Sequence, residues 1–389
     1  MLNFGRNGFV CPWPLPRQGI DLILLGLVLL LVVFGLLMVY SASFIYAQER
    51  LGDGFGFIRK QFVMALVGLM ALAAASRIDY RFWFKAGYPM LGVATLLLLM
   101  VMIPGLGAKV GGAQRWLRVG GFNFQPGEFA KFAVIFFVAR QLYRKRDRLN
   151  KIVAGVLAPL LVPLPTLFLL LIQPDFGTTV MIGVVILFLM FIGGVPKRYL
   201  GGALLLLSTV SVSLVFSSPY RLHRLLGFLD PWADPGGKGF QILQSLMGVY
   251  NGNLWGVGLG NGREKLFYLP EAHNDFIFAV IGEETGFLGI LTLIGAFLYL
   301  IYRGLQIAWR CKEQFGDEYG MLLASGITLA LGLQAFVNMS VVLGLLPTKG
   351  LTLPFVSYGG SALVVDLFAM GVLLAVGRGP QDARWEIRA

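Results

Sequence analysis

In the stretch LPEAHNDFIFAVIGEETG, Leu269 to Gly286, three groups able to move a proton, Glu271, His273 and Asp275, stand just before an apolar run. A carboxylate or imidazole held within reach of a hydroxyl can act as general base or acid. Counted at helical spacing from Asp275, Ala279, Gly282, Gly286 and Gly289 share its face, a smooth surface for close packing or for a ligand. Glu283 and Glu284 lie about 12 Å further along the helix, and Glu284 is on the opposite side from Asp275. These carboxylates therefore do not form one cluster. Asp275 has two readings, an N-terminal helix cap or a functional carboxylate at the water boundary.

Other ionisable groups sit at the edges of apolar runs. In QPGEFAK, Pro126 suits a first helical turn, Glu128 faces the positive helix end, and Lys131 follows three residues on along the same face. They form an ion pair with each other or present ammonium protons to a phosphate. In QPDFGT, Asp175 suits the cap of the following helix. Asp366 and the Gln334/Asn338 pair, four residues apart on one face, suit contacts between helices. Short outer loops that keep Lys109, Arg115, Arg118 and Lys349, and a longer one with Arg221, Arg224, Lys238, Arg263 and Lys265, suggest that something anionic is met outside.

The elements that must position these residues follow from composition. Of 389 residues, 57% are hydrophobic and only 13% charged, with a mean hydropathy of +0.75, which places the chain among polytopic membrane proteins. Uncharged runs such as Leu22 to Tyr40 and Phe176 to Pro196 approach the roughly 20 residues that cross a bilayer as a helix. The pattern predicts an all-α fold of ten helices, about 20–44, 60–76, 86–104, 127–143, 152–172, 176–196, 199–216, 276–302, 320–346 and 360–377. A single transmembrane domain, 1–389, is expected, with residues 1–19 and 378–389 cytoplasmic and one long outer loop, 217–275, between the seventh and eighth helices. That loop is rich in Gly, Pro, Trp and Asp and reads as ordered, with short helical pieces. Lys and Arg concentrate on the side that makes both termini cytoplasmic, most strongly in RKRDRLNK, Arg144 to Lys151.

Several functions are excluded on the same grounds. The net charge of +12 is accounted for by membrane lipid headgroups, so no nucleic-acid partner is expected. GVGLGNG, Gly256 to Gly262, has neither the preceding strand nor the spacing of a nucleotide loop. EAHND lacks zinc-site spacing, and with both Cys11 and Cys311 expected in the cytoplasm, a disulfide framework is not expected either.

Five long stretches in order, GGAQRWLRVGGFNFQPGEFAK, QPDFGTT, YRLHRLLGFLDPWADPGGKGFQILQS, GVGLGNGREKLFYLPEAHNDFIFAVIGEETG and LLPTKGLTLPFVSYGGS, make the chain resemble the SEDS family (shape, elongation, division and sporulation) over nearly its whole length. PTKGLTLPFVSYGGS is more similar to the division branch than to the elongation branch. Asn274, Gly127, Gly262, Asn253 and Ala362 depart from the family pattern without removing a charge.

The resemblance implies a glycosyltransferase of the cytoplasmic membrane that polymerises lipid II at its outer face, at the division septum, with a class B penicillin-binding transpeptidase and other division proteins as partners. The family's essential Asp falls on Asp275, which would be the general base of an inverting transfer. Substrate contacts are expected from Trp116, Glu128, Lys131, Asp175, Arg221, Arg224, Lys265, Glu271, His273, Lys349 and Ser357, with room for a divalent cation, Mg or Mn, at the pyrophosphate. No metal ligand is assigned. A lipid II flippase, which would use Glu283, Glu284 and Asp366 inside the membrane, and a division scaffold are the competing readings.

Overall fold

The computed structural model describes residues 19–379 except 111–112 and 120–121; Cys11 and most of both expected cytoplasmic termini lie outside the described residues. Ten helical rods correspond to the ten read from the sequence. They are α1 (Leu22–Leu51), α2 (Gly56–Arg77), α3 (Phe82–Met102), α4 (Pro126–Arg144), the pair α5 (Ala158–Leu161) and α6 (Leu164–Ile172) bent at Pro163, α7 (Phe176–Ile192), α8 (Lys197–Phe216), α11 (Ile277–Phe315), α12 (Glu318–Val342) and α13 (Gly360–Arg378). Among the described residues, eight rods are long and apolar enough to cross a membrane. Of the other two, α7 is apolar but has 17 residues, and α4 carries Glu128, Lys131, Arg140 and Arg144.

Almost every residue of α4 is buried, because it runs through the middle of the bundle against α3, α7, α12 and α13. A helix buried all round can carry charge only if the surrounding helices supply its partners. At the other extreme, α8 turns nearly all its side chains outward, as a lipid-facing helix does. The long outer loop contains α9 (Pro219–Leu229) and α10 (Phe240–Asn251), in keeping with the helical pieces expected there.

Two features depart from the sequence expectation. The first outer loop is not irregular: β1 (Gly107–Val110), β2 (Ala113–Val119) and β3 (Phe122–Phe124) form an antiparallel sheet in the order β1-β2-β3, with Ala108 opposite Trp116 and Leu117 opposite Phe124. Outside the hydrocarbon, strands are not forbidden, so the rule that spans must be helical does not reach this loop. The second departure is in α11, where Gly286 has φ 70° and ψ −169° and interrupts the helix. The smooth face expected from Asp275 to Gly289 therefore does not continue past that point.

The interruption leaves backbone groups that water cannot satisfy inside a membrane, and residues 253–258 satisfy them. The carbonyls of Glu283 and Glu284 accept from the N–H groups of Val257 and Gly258 at 3.0 and 3.1 Å. On the other side of the break, the N–H groups of Phe287 and Leu288 donate to the carbonyls of Asn253 and Leu254 at 2.8 and 3.3 Å. Val257 and Gly258 of GVGLGNG thus supply two of the four bonds. The two chains run so close that a Cβ on Gly286 would lie 2.3 Å from the Gly256 nitrogen, and one on Gly256 would lie 2.2 Å from the Glu284 carbonyl oxygen. Gly286→Ala is expected to cost at least about 1–3 kcal/mol from its left-handed backbone alone, before the clash. A lower melting temperature of the detergent-solubilised protein and a lower folded yield check this.

Candidate active site at the outer face

Two groups of charged side chains stand out. The first is buried and paired. Lys131 Nζ, fully enclosed, donates to Glu128 Oε2 at 2.7 Å, Gln334 Oε1 at 2.5 Å and Asp366 Oδ1 at 3.2 Å, which uses all three of its protons. Lys265 Nζ donates to Glu284 Oε1 at 2.6 Å and to Ser41 Oγ at 3.0 Å, while Glu283 accepts from the backbone N–H groups of Arg263 and Glu264. Arg303 binds Asp21, which also caps α1. Each of these pairs compensates the desolvation of its own charges.

The second population has no such compensation. A cavity enclosing about 680 Å³, its open mouth included, is lined by Arg115, Asp175, Phe176, Gly177, Tyr220, Arg221, Arg224, Lys349 and Gly350, among others. Arg221 donates to the Leu214 carbonyl at 2.8 Å and Arg224 to that of Thr348 at 3.2 Å. Arg115 holds the carbonyls of Gln173 and Pro174. Lys349 makes no hydrogen bond among the described residues and lies 5.8 Å from the Phe176 ring centre. None of the four cations has a carboxylate within ion-pair distance among the described residues. Burial pushes the Lys349 ammonium below the usual lysine range, opposed by the charge of Asp175. Such a cavity selects for anions.

Asp275 adjoins this cavity. A Cβ built on Gly350 would stand 3.0 Å from its Oδ2. The cap reading of Asp275 does not hold, since α11 begins after Phe276 and has no side-chain cap. Its carboxylate accepts no hydrogen bond among the described residues. Burial raises its pKa to about 7, helped by the charge of Glu271 and opposed by Arg224 and Arg115. A group so poised can take up and release a proton near neutrality.

Of the residues singled out from the sequence, Asp175, Arg221, Arg224, Lys349 and Asp275 converge here. Asp175 also caps α7, accepting from the Thr178 N–H, and burial raises its pKa against the opposing charge of Arg115. The structure does not bring the others to the lining. Glu128 and Lys131 are consumed by the buried cluster with Asp366, and Lys265 by Glu284. Ser357 Oγ accepts from the Leu353 N–H and fixes a turn. His273 is packed among Tyr46, Phe57 and Tyr358, and this burial lowers its pKa against the pull of Glu271. Glu271 is exposed and accepts from the Asn274 side chain. Trp116 follows Arg115 on β2 but does not line the cavity; the pairing with β1 shifts register between them, Lys109 lying opposite Gln114 and Ala108 opposite Trp116, which leaves Arg115 as the bulged residue. Arg115 was visible in the sequence only as one of several outer cations; the sheet singles it out.

The donor set bears on a metal. Four cations surround one carboxylate in the lining, and among the described residues no group of three or more His, Cys, Asp or Glu side chains converges. That lining does not fit a divalent cation held by the protein.

The fold and site define a polytopic helical membrane protein with a cation-lined cavity at its outer face, beside the carboxylate of Asp275. A family model described as Cell cycle protein, covering FtsW, RodA and SpoVE, matches residues 21–381, and the chain belongs to that family. It is 45% identical over 359 residues to a probable peptidoglycan glycosyltransferase FtsW of Trichlorobacter lovleyi, covering 92% of this chain and 93% of that one. A relative with the same description in Legionella pneumophila is 40% identical over 363 residues, 93% of this chain and 91% of its own. Among solved structures, a chain from work on the coordination of polymerization and crosslinking by a peptidoglycan synthase complex aligns with a TM-score of 0.74 at 31% identity, covering 92% of this chain and 98% of that one. The rod shape determining protein RodA of Thermus thermophilus aligns with a TM-score of 0.68 at 28% identity over 93% and 98%.

The two ion populations predict different responses. Lys131→Met strands Glu128 and Asp366 in the bundle and is expected to cost about 3–5 kcal/mol. Lys349→Met removes an unpaired cation and is expected to cost about 1 kcal/mol or less, while weakening inorganic pyrophosphate binding. Thermal melts in detergent and a pyrophosphate titration check both.

Proposed function

We propose that this protein is a division-branch peptidoglycan glycosyltransferase, which joins lipid-linked disaccharide units into glycan strands at the outer face of the cytoplasmic membrane. The observation that carries the reading is the cavity of four cations without ion-pair partners beside a carboxylate without a hydrogen bond. Polymerising a sugar held on a polyprenyl pyrophosphate needs these two things, a sink for pyrophosphate charge and a base for the acceptor. The FtsW descriptions of relatives at 40 and 45% identity support the division branch.

In the reaction, the acceptor sugar's 4-hydroxyl gives its proton to Asp275 as its oxygen attacks the anomeric carbon of the donor. The bond from that carbon to the pyrophosphate oxygen breaks, and the configuration inverts. Because the leaving group departs as a stable anion, a general acid is not required. Arg115, Arg221, Arg224 and Lys349 meet the charge that grows on it, and their preset positions avoid a reorganisation cost at the moment of reaction. The outer end of the bundle suits the substrate, whose tail stays in hydrocarbon while its sugar reaches water.

A flippase would need exposed ionisable groups within the membrane. Glu283, Glu284 and Asp366 are instead engaged by backbone N–H groups, Lys265 and Lys131. The partner we infer is a transpeptidase of the penicillin-binding class, in line with the peptidoglycan synthase complex to which the chain is similar, and the place of action is the division septum.

Asp275→Asn, purified with that partner and given labelled lipid II in detergent, is expected to lose at least about 100-fold in strand formation. Glycan strands made by this variant at the wild-type rate would refute the assignment of the base. Because the base works deprotonated and its folded pKa is raised to about 7, the wild-type rate should climb with pH through about 7 and fall away below it. A profile flat from about pH 5.5 to about 8.5 would argue against it.

A further inference from the structure

Asn338 lies in α12, away from the cavity lining, yet it touches the backbone of the proposed base. Its Nδ2 donates to the carbonyl of Asp275 at 2.8 Å and to the carbonyl of Leu351 at 2.6 Å. One amide group thus ties together two segments that are 76 residues apart, as 351 less 275 gives: the entry to α11 that carries Asp275, and the Pro347–Leu351 segment that carries Lys349 and Gly350. One turn earlier on the same face, Gln334 Nε2 donates to the Thr352 carbonyl at 3.0 Å while its Oε1 accepts from Lys131. The buried Lys131 cluster is therefore connected through α12 to the cavity wall. Asn338 is almost wholly enclosed.

An inter-helix contact alone would not require this geometry. Both N–H groups of one amide go to main-chain carbonyls, one of Asp275 itself and one of Leu351 in the segment that carries Lys349, and they tie the base to the cavity wall. The base must meet the acceptor hydroxyl while the cations meet the pyrophosphate, so an error of about 1 Å between the two costs as much as 100-fold in rate. We propose that Asn338 is a positioning residue that sets the place of Asp275 against Lys349, with Gln334 as its support, and that it acts on turnover and not on substrate affinity. The inference rests on the reading of Asp275 as the base.

The test uses the full chain with its transpeptidase partner and labelled lipid II, and compares Asn338→Leu, Asn338→Ser, Asp275→Asn, Asp275→Glu and the Asp275→Glu/Asn338→Leu double variant. Asn338→Leu is expected to lose about 10- to 100-fold in kcat with KM within about threefold of wild type. In the Asp275→Glu background, where the carboxylate is already displaced, the further loss from Asn338→Leu should shrink to less than about threefold. Losses that multiply in the double variant, or a folded Asn338→Leu with wild-type kcat, would overturn the proposal. If Asn338→Leu does not fold, Asn338→Ser carries the same comparison, alone and in the Asp275→Glu background. Wild-type activity in Asp275→Asn would instead refute the base itself, which keeps the two failures apart.

Discussion

A charge inside a membrane must find a partner, and this constraint sorts the ionisable side chains of the protein. Lys131, Lys265 and Arg303 each sit deep in the bundle, and each is held by a carboxylate within about hydrogen-bond reach. Where the constraint relaxes, at the outer end, Arg115, Arg221, Arg224 and Lys349 stand around one cavity with no ion-pair partner among the described residues. Four cations gathered in this way leave room for an opposite charge to be brought from outside. In the function we propose, pyrophosphate on a lipid carrier brings that charge.

The same rule governs the backbone. The interruption of α11 at Gly286 would be untenable in hydrocarbon if it left its carbonyls and N–H groups unpaired. Residues 253–258 return to the bundle and supply the missing hydrogen bonds, and the Lys265–Glu284 pair secures the same place through side chains. The first helical segment of α11, which begins just after Asp275, is thereby fixed at both ends: by this stitch at one, and by Asn338 at the other. The buried Lys131 cluster serves a comparable purpose, because Gln334 joins it to the segment that forms the cavity wall.

Division of labour along α12 follows from these contacts. Its middle meets the charge of α4 through Gln334, and further toward the outer end it meets the backbone of Asp275 and Leu351 through Asn338. A single straight helix is a rigid spacer, so a cluster in the interior and a cavity at the surface keep a constant separation. The sheet in the first outer loop does the equivalent for Arg115, which stands at the register shift between β1 and β2 and whose guanidinium donates to the Gln173 and Pro174 carbonyls.

Much of this protein was legible in its sequence. Apolar runs of about 20 residues determined the ten rods, the distribution of Lys and Arg determined their orientation, and ordered motifs such as PEAHND and PTKGLTLPFVSYGGS pointed to Asp275 and Lys349. These signals are local, or sum simply along the chain. What only the tertiary structure decided was which charges are spent on one another: Lys131 and Lys265 look no different in sequence from Lys349, yet the first two meet Asp366 and Glu284 across the bundle, and the third has no carboxylate within ion-pair distance among the described residues. The break in α11 was hidden for a like reason, since Gly286 can join a helix or interrupt it, and the choice belongs to residues 253–258, which lie close only after folding. A partner distant in sequence leaves no mark on the residue it neutralises.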